Sequence, residues 1–282
     1  MQTSRELFIS ACEGSPTPRP PLWIMRQAGR YLPEYRKLKE KYGFLGIVKT
    51  PEVGVEAALQ PIRRFNLDCS IVFSDILTIP EALGFAYKFK DGGGIELPRT
   101  VKTADGTRIE KPTEKMSESH GYVADNIKML RRELPDKAVF GFCGSPFTLA
   151  AYMVEGGGSK TFPKFTDFAK CAPQAFESLM DTLCDAACEY AQMQLEAGID
   201  AFQIFDSNAF LIPSGQYENL SGKWNAKIFE RLPKTKQVLF TPLPAGRFPE
   251  TLSTGAEAYS IFTASSLAQI RRGNAGNYAL QG

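Results

Sequence analysis

The sequence predicts an α/β fold in which helices cover a parallel sheet, and three observations support this prediction. Short runs such as CSIVF at residues 69–73 are apolar on both faces, as in the strands of a parallel sheet. Amphipathic helical patterns separate these runs. The connections are short, as right-handed crossovers between parallel strands require. The commonest closed form of this arrangement is the (β/α)8 TIM barrel, and an open doubly wound sheet is the second possibility.

The first quarter of the chain predicts two strands and three helices. The predicted elements are a helix at 3–13 capped by Ser4, a strand that begins at Leu22, helices at 33–42 and 51–65, and a strand at 69–73. The proline-rich segment SPTPRPP brings the chain, extended, into the first strand, because proline fixes φ and lacks an N–H. We expect Gly43 to end the second helix and Pro61 to kink the third.

The polar, glycine-rich stretch at 87–112 predicts an inserted hairpin with a turn at Asp105 and Gly106. Strands are then predicted at 138–143, 201–205, 237–240, 258–262 and 278–281, alternating with helices at 116–134, 147–155, 165–197 with a break near Pro173, 217–232, 248–252 and 265–272. Because this makes seven strands, the prediction is a single domain over 1–282 that lacks the last strand and helix of a barrel.

Composition excludes several classes of function. The formal net charge is only +2, which gives no reason to expect a nucleic acid or an anionic membrane surface as partner. The apolar and charged shares, 43% and 23%, are ordinary for a globular protein. No signal peptide or run of transmembrane length is evident, and the six cysteines lie in apolar patterns. We therefore expect reduced, buried thiols and a location in the cytoplasm or an organelle stroma.

A metal site is not expected. The only histidine, His120, leaves too few imidazoles for a histidine-based zinc site or a conventional catalytic triad. Cys184 and Cys188 share a helical face, but two buried thiols on the apolar side of a long helix explain that spacing more simply.

Polar residues follow the predicted strands, at the edge where barrels and open α/β sheets bind ligands. Arg26 and Arg30 follow the first strand, and their guanidinium groups suit a ligand that carries several carboxylates or phosphates. Asp75 follows the second strand, Tyr152 comes from the helix after the third, and Ser207 follows the fourth. This set contains no strong nucleophile and no base that titrates near neutrality, so it favours binding and electrostatic stabilisation.

Four segments resemble the uroporphyrinogen decarboxylase family. They are MRQAGRYLPEYR, FSDIL at residues 73–77, GSPFTLAAYMVEGGGS and QIFDSNA at residues 203–209. The resemblance implies a (β/α)8 barrel that acts as a homodimer in the cytoplasm without cofactor or metal. It also implies decarboxylation of the four acetate side chains of uroporphyrinogen III to give coproporphyrinogen III, on the route to haem and chlorophyll.

The resemblance also implies a set of site residues. The substrate loop corresponds to Arg26, Gln27, Ala28, Gly29 and Arg30, the central aspartate to Asp75, and further carboxylate-binding groups to Tyr152 and Ser207. Asp75 and Arg26 are the predicted catalytic residues. A guanidinium holds its protons too tightly to be a good acid, so water or the substrate's own carboxyl is the better proton donor.

The second half of the sequence departs from the family pattern. FTPLPAGRF stands where a Lys-Gly turn is usual, Ile261-Phe262-Thr263 stands where Asp-Trp-Thr is usual, and the terminal Gly-His-Gly motif is not found. Two alternatives therefore stay open beside the decarboxylase. One is a tetrapyrrole-binding relative that has lost turnover, and the other is a corrinoid-linked methyltransferase of the same superfamily, which needs a zinc cluster of His and Cys.

Overall fold

The computed structural model describes residues 2–90, 93–101, 115–232, 235–262 and 264–282. The helices are α1 (Ser4–Cys12), α2 (Pro33–Lys49), α3 (Pro51–Phe65), α4 (Thr78–Ala82), α5 (Met116–Ser119), α6 (Tyr122–Glu133), α7 (Pro146–Glu155), α8 (Pro163–Cys171), α9 (Pro173–Ala197), α10 (Lys223–Glu230) and α11 (Leu267–Gly273). The strands are β1 (Cys69–Ile71), β2 (Lys88–Phe89), β3 (Ile95–Glu96), β4 (Ala138–Gly144), β5 (Ala201–Phe205), β6 (Lys236–Phe240), β7 (Ala258–Ser260) and β8 (Ala279–Gln281).

Six strands form one parallel sheet in the order β1-β4-β5-β6-β7-β8, with every neighbour pair parallel. This sequential order, with helices between the strands, is that of a (β/α)8 barrel, and the curled sheet is a barrel with part of its circumference missing. The predicted incomplete TIM barrel is therefore confirmed. The antiparallel pair β2-β3 is a separate hairpin within the predicted stretch, and the Lys90 N–H donates to the Gly94 carbonyl between its strands. The predicted turn at Asp105 and Gly106 lies outside the described residues.

Two apolar layers hold the sheet. Outside it, α3, α6, α7 and α9 pack their buried faces against the strands in the main core. Inside it, α1 covers the amino-terminal end of the half-barrel, where Phe8 contacts Phe140 with ring centroids 4.8 Å apart. Trp23 stacks on the other side of Phe140 at 4.5 Å, and its indole N–H donates to Gln281 Oε1 on β8 at 2.8 Å. Helix α1 and Trp23 thus cover part of the amino-terminal end, beside a cavity of about 740 Å³ that Phe8, Trp23 and Gln281 line.

The predicted strand that begins at Leu22 does not form. The N–H of Leu22 donates to Asp68 Oδ2 and that of Ile24 to Gln27 Oε1, so side chains take the place of a partner strand. The segment still runs beside β1, because the Asp68 N–H donates to the Leu22 carbonyl at 2.8 Å. Leu22 and Ile24 remain 55% and 53% exposed. The main sheet consequently has six strands among the described residues, one fewer than predicted.

Several helix boundaries also differ from the predictions. Gly43, at φ 65°, interrupts α2 instead of ending it. Helix α1 is capped by Thr3 rather than Ser4, and the side chains of Thr3 and Glu6 each accept the other's backbone N–H. His120 divides the helix predicted at 116–134 into α5 and α6. The short helix α4, which begins three residues after Asp75, was not predicted. The break at Pro173 is confirmed as the gap between α8 and α9.

Candidate active site

A cavity of about 610 Å³ opens at the carboxyl end of the strands. It has aromatic walls formed by one phenylalanine near the carboxyl end of each of β1, β4, β5 and β6, namely Phe73, Phe142, Phe205 and Phe240. Arg26, Ala28, Ser74, Asp75 and Ser207 are among its other lining residues. The volume suits an organic ligand of moderate size, and mostly apolar walls with a few polar groups are usual for such sites. Sequence reasoning did not identify the phenylalanines, although their position at successive strand ends was a usable signal.

Asp75 provides the acidic group of the cavity. One carboxylate oxygen, Oδ1, accepts the Leu77 N–H at 2.8 Å, which caps the start of α4, and the Asp75 carbonyl accepts the Thr78 hydroxyl at 2.8 Å. Burial raises the pKa of Asp75 to about 6, against the opposing effect of the Leu77 hydrogen bond. The carboxyl is thus fixed by one oxygen and is mostly ionised at neutral pH, and Oδ2 accepts no hydrogen bond from any described residue.

The loop of residues 26–30 lies across the mouth of the cavity. Its shape depends on Gln27, which is 1% exposed and whose amide donates to the Cys69 carbonyl at 3.1 Å. Arg26 lines the cavity and is largely exposed, whereas Arg30 is exposed outside the cavity wall. Neither guanidinium forms an ion pair with a residue in the described part of the chain. Both cations are therefore available to an anionic ligand.

Tyr152 and Ser207 approach the site from two further elements. Ser207 lies in the turn after β5 and lines the cavity. Tyr152 lies on α7 with its ring 5.7 Å from that of Phe162, outside the lining residues. Burial raises the pKa of Tyr152, the charge of Asp75 raises it further and that of Arg26 lowers it, so the phenol lies in the electrostatic field of both. Of the predicted site residues, Arg26, Ala28, Asp75 and Ser207 share the cavity, while Gln27, Gly29, Arg30 and Tyr152 surround it.

Asp206 holds the turn that carries Ser207. Its carboxylate is fully buried and accepts hydrogen bonds from Ser221 Oγ at 2.7 Å and Tyr217 Oη at 2.9 Å. Thr148 Oγ1 donates to Asp206 Oδ1 at 3.3 Å and accepts the Asn208 N–H at 3.1 Å, which ties the turn to α7. Burial raises the pKa of Asp206 despite these donors. In the sequence Asp206 is one of the residues that follow the fourth predicted strand, but sequence reasoning did not identify this network.

The described part of the chain contains no group of three or more His, Cys, Asp or Glu side chains placed to hold a metal ion. Cys184 and Cys188 are both buried on α9, as predicted from their spacing. In the same described residues, no helix combines the length and the apolar character needed to cross a membrane.

Comparison with known proteins places this site in a family. Residues 3–282 match the family model described as Uroporphyrinogen decarboxylase (URO-D). A uroporphyrinogen decarboxylase of Xanthomonas campestris pv. campestris is 40% identical over 98% of this chain and 80% of its own length. That of Legionella pneumophila is 38% identical over 99% of this chain and 81% of its own length.

A solved methyltransferase from Methanosarcina mazei superposes on the whole chain with a TM-score of 0.81, covering 83% of that protein, at 17% identity. This likeness shows a shared fold and nothing about the reaction. The family model and the two relatives instead match the sequence over nearly its full length, including the arginine loop and the strand ends that form the cavity. The chain therefore belongs to the uroporphyrinogen decarboxylase family.

Proposed function

We propose that this protein decarboxylates the acetate side chains of uroporphyrinogen III, giving coproporphyrinogen III for tetrapyrrole biosynthesis. The observation that supports this most directly is the partly buried carboxylate of Asp75 within a cavity that Arg26 also lines. Uroporphyrinogen carries eight carboxylates on its rim and four pyrrole N–H groups that can point inward. A cavity with a central acceptor and cations at its mouth matches this distribution of charge.

Asp75 has two roles in the proposed reaction. In the ground state its carboxylate accepts pyrrole N–H hydrogen bonds and holds the macrocycle in place. When a pyrrole carbon is protonated, the ring becomes cationic and withdraws electrons from the adjacent C–C bond to the carboxylate. A fixed anion in a partly enclosed cavity stabilises that cation more strongly than water does. The substrate's own ring therefore serves as the electron sink for loss of carbon dioxide.

The remaining residues bind and orient the substrate. Arg26 pairs with a carboxylate at the mouth of the cavity, and Arg30 pairs with one that extends beyond it. Gln27, Ala28 and Gly29 shape the loop between the two arginines. Ser207 and Tyr152 donate hydrogen bonds to further carboxylates as the macrocycle turns to present each acetate. Arg26 contributes electrostatic stabilisation, since its guanidinium is a poor proton donor at neutral pH.

The proposal extends to organisation and location. One domain covers residues 1–282, and two copies of it form a homodimer. The substrate is a small molecule, and the reaction uses no cofactor or metal. The enzyme works in the cytoplasm and binds neither nucleic acid nor a membrane.

Anaerobic incubation with uroporphyrinogen III tests the proposal. Products are oxidised to porphyrins and separated by chromatography according to the number of carboxyl groups. We expect stepwise loss from eight carboxyls to four in the presence of the protein, and a loss slower by about 10²–10³ with Asp75→Asn. Binding of the substrate without loss of carboxyls would instead identify a relative without turnover and would reject the proposed reaction.

A further inference from the structure

The turn that carries Asp75 is held to the rest of the protein by side chains rather than by the sheet. The Val72 N–H donates to the Phe140 carbonyl at 2.9 Å, which is the last backbone hydrogen bond that this segment donates to the sheet. In the described part of the chain, the N–H groups of residues 73–76 donate to no backbone carbonyl. Helix α4 begins only at Thr78. The ladder of the sheet therefore does not fix the position of Asp75.

The hydroxyl of Tyr190 anchors this turn. Tyr190 lies on α9, outside the sheet, is 1% exposed, and its Oη is 3.1 Å from Ser74 Oγ. Ser74 directly precedes Asp75 and lines the cavity with it. Burial raises the pKa of the Tyr190 phenol, so the hydroxyl keeps its proton and can donate it to a hydrogen bond. The contact thus connects a well-packed helix to the residue next to Asp75.

The hydrogen bonds of Thr78 set the direction of these contacts. The Thr78 hydroxyl donates its one hydrogen to the Asp75 carbonyl at 2.8 Å, because a carbonyl can only accept. Thr78 Oγ1 can therefore only accept from Ser74 Oγ, which lies 3.4 Å away. Since Ser74 uses its hydrogen for Thr78, it accepts from Tyr190. The three hydroxyls consequently donate in sequence from Tyr190 to the backbone of Asp75.

Ser74 lines the cavity, but its hydroxyl is used to hold the turn. A substrate carboxylate can only accept hydrogen bonds, and the Ser74 hydrogen is directed to Thr78. One oxygen of the Asp75 carboxylate, Oδ1, is likewise used, because it accepts the Leu77 N–H at 2.8 Å. The other oxygen, Oδ2, is left for the substrate. Its position depends on how firmly the turn is held.

We propose that Tyr190 is a positioning residue, whose hydroxyl acts through Ser74 to hold the Asp75 carboxylate at the place where the cationic pyrrole forms. This inference rests on the proposed decarboxylase function. A displacement of about 1 Å in a catalytic group can cost on the order of 100-fold in rate, so a turn without backbone support needs such an anchor. Tyr190 is not among the residues that line the cavity, and it affects the reaction only through Asp75.

Tyr190→Phe tests the proposal, because it removes the hydroxyl and keeps the ring. Tyr259→Phe is the matched control, since Tyr259 is also buried and its hydroxyl donates to the Leu252 carbonyl at 3.4 Å, away from the cavity lining. We expect kcat for uroporphyrinogen to fall on the order of tenfold in Tyr190→Phe, with KM changed by less than about twofold, and no effect in the control. An unchanged kcat, or a rise in KM alone, would overturn the proposal.

A double variant tests whether Tyr190 acts through the Asp75 carboxylate. Once Asp75→Asn has removed the charge, its exact position should matter little. Tyr190→Phe should therefore lower kcat by less than about twofold in the Asp75→Asn background. Single-turnover assays with excess protein measure this low activity. The same tenfold fall in both backgrounds would show that Tyr190 acts independently of Asp75, which contradicts the proposal.

Substitutions at Thr78 test the hydroxyl sequence without changing Tyr190. Thr78→Ser keeps the hydroxyl that donates to the Asp75 carbonyl, whereas Thr78→Val keeps the shape of the side chain and removes the hydroxyl. We expect kcat to stay within about twofold of the wild type for Thr78→Ser and to fall on the order of tenfold for Thr78→Val. Equal kcat in the two variants would show that the hydroxyl does not hold the turn.

Amide hydrogen exchange at Leu77 gives a readout that does not depend on turnover. The Leu77 N–H donates to the Asp75 carboxylate, so its exchange rate reports opening of the turn. Tyr190→Phe should speed this exchange by about 3- to 10-fold relative to the amides of β5, and Tyr259→Phe should not. An unchanged rate at Leu77, or equal acceleration in β5, would overturn the proposal. Failure of the proposed function is distinguishable, because the wild-type protein then releases no carbon dioxide while the exchange still reports the turn.

Discussion

Arg26 and Asp75 line the same cavity but occupy opposite environments. The guanidinium of Arg26 is largely exposed at the mouth, whereas the carboxyl of Asp75 is enclosed deeply enough that burial raises its pKa to about 6. A cation in water can release and rebind carboxylates at little cost, while a buried anion interacts strongly with any positive charge that enters. Arg26 therefore serves mainly to bind the substrate, and Asp75 serves to stabilise the charged intermediate.

Asp75→Asn should abolish most turnover without unfolding the protein. Asn retains an oxygen that can accept the Leu77 N–H but carries no charge to stabilise the cationic ring. Removal of one such preorganised group costs about 10²–10³ in kcat. We expect a loss of that size, with a Tm no lower than that of the wild type. A Tm that falls in proportion to activity would mean that Asp75 serves mainly to cap α4.

The pH dependence of stability should report the buried carboxyl of Asp75. Its pKa is about 6 in the folded state against 3.8 for an ordinary aspartate, so the folded protein binds a proton over this range that the unfolded chain releases. The contribution of protonated Asp75 to the free energy of unfolding is complete below about pH 4, and it is lost as the pH rises through 6.

Asp75→Asn should therefore become more stable relative to the wild type between pH 4 and pH 7, by at most about 3 kcal/mol. Urea unfolding of both proteins at several pH values measures this difference. A difference that does not change with pH would contradict a raised pKa at Asp75.

Arg26→Ala should weaken substrate binding more than Arg30→Ala, because only Arg26 lines the cavity. Loss of a hydrogen bond to a charged group costs about 1.5–3 kcal/mol, so KM should rise by about 10- to 100-fold for Arg26→Ala. Tm should not change, since neither exposed arginine pairs with an acid in the described residues. Steady-state kinetics on the two variants provides the comparison, and an equal effect of both would place Arg30 at the same carboxylate.

Asp75 and Asp206 both follow a strand, but only Asp75 lines the cavity. A position at the carboxyl end of a strand suits a ligand-binding acid and a turn-capping acid equally, and the motif FSDIL was needed to single out Asp75. The Asp206 carboxylate instead accepts hydrogen bonds from three donors that are distant in the sequence, Tyr217, Ser221 and Asn225. These three occur at intervals of four, so they share one face of a helical segment. That spacing indicates a polar network, but it does not indicate which acid the network surrounds.

The failed strand at Leu22 shows a different limit of sequence reasoning. An apolar run predicts burial, but strand pairing also requires backbone partners, and those are contributed by segments far along the chain. Here side chains of Asp68 and Gln27 bind the N–H groups that a partner strand would otherwise use. The six strands that do pair, and the order in which they pair, followed from alternation and short connections alone.

Asp68 and Asp75 flank β1, and they should respond to mutation in opposite ways. Asp68, at the amino end, is buried and accepts hydrogen bonds from Ser4, two nitrogens of Arg19 and the Leu22 N–H. Burial alone would raise the pKa of Asp68, but these donors lower it to about 2. Its stabilising effect is therefore present above about pH 4 and is lost as the pH falls toward 2.

Asp68→Ala should cost about 1–3 kcal/mol of unfolding free energy at pH 7, because it removes the acceptor of the Ser4 hydroxyl and the Leu22 N–H, whereas the exposed Arg19 can be solvated by water. Turnover of the protein that remains folded should be unchanged, since Asp68 lies at the opposite end of the strand from the cavity. Urea unfolding and assays below the unfolding transition measure the two effects separately. A loss of kcat without a loss of stability would contradict this division of the strand into a structural end and a catalytic end.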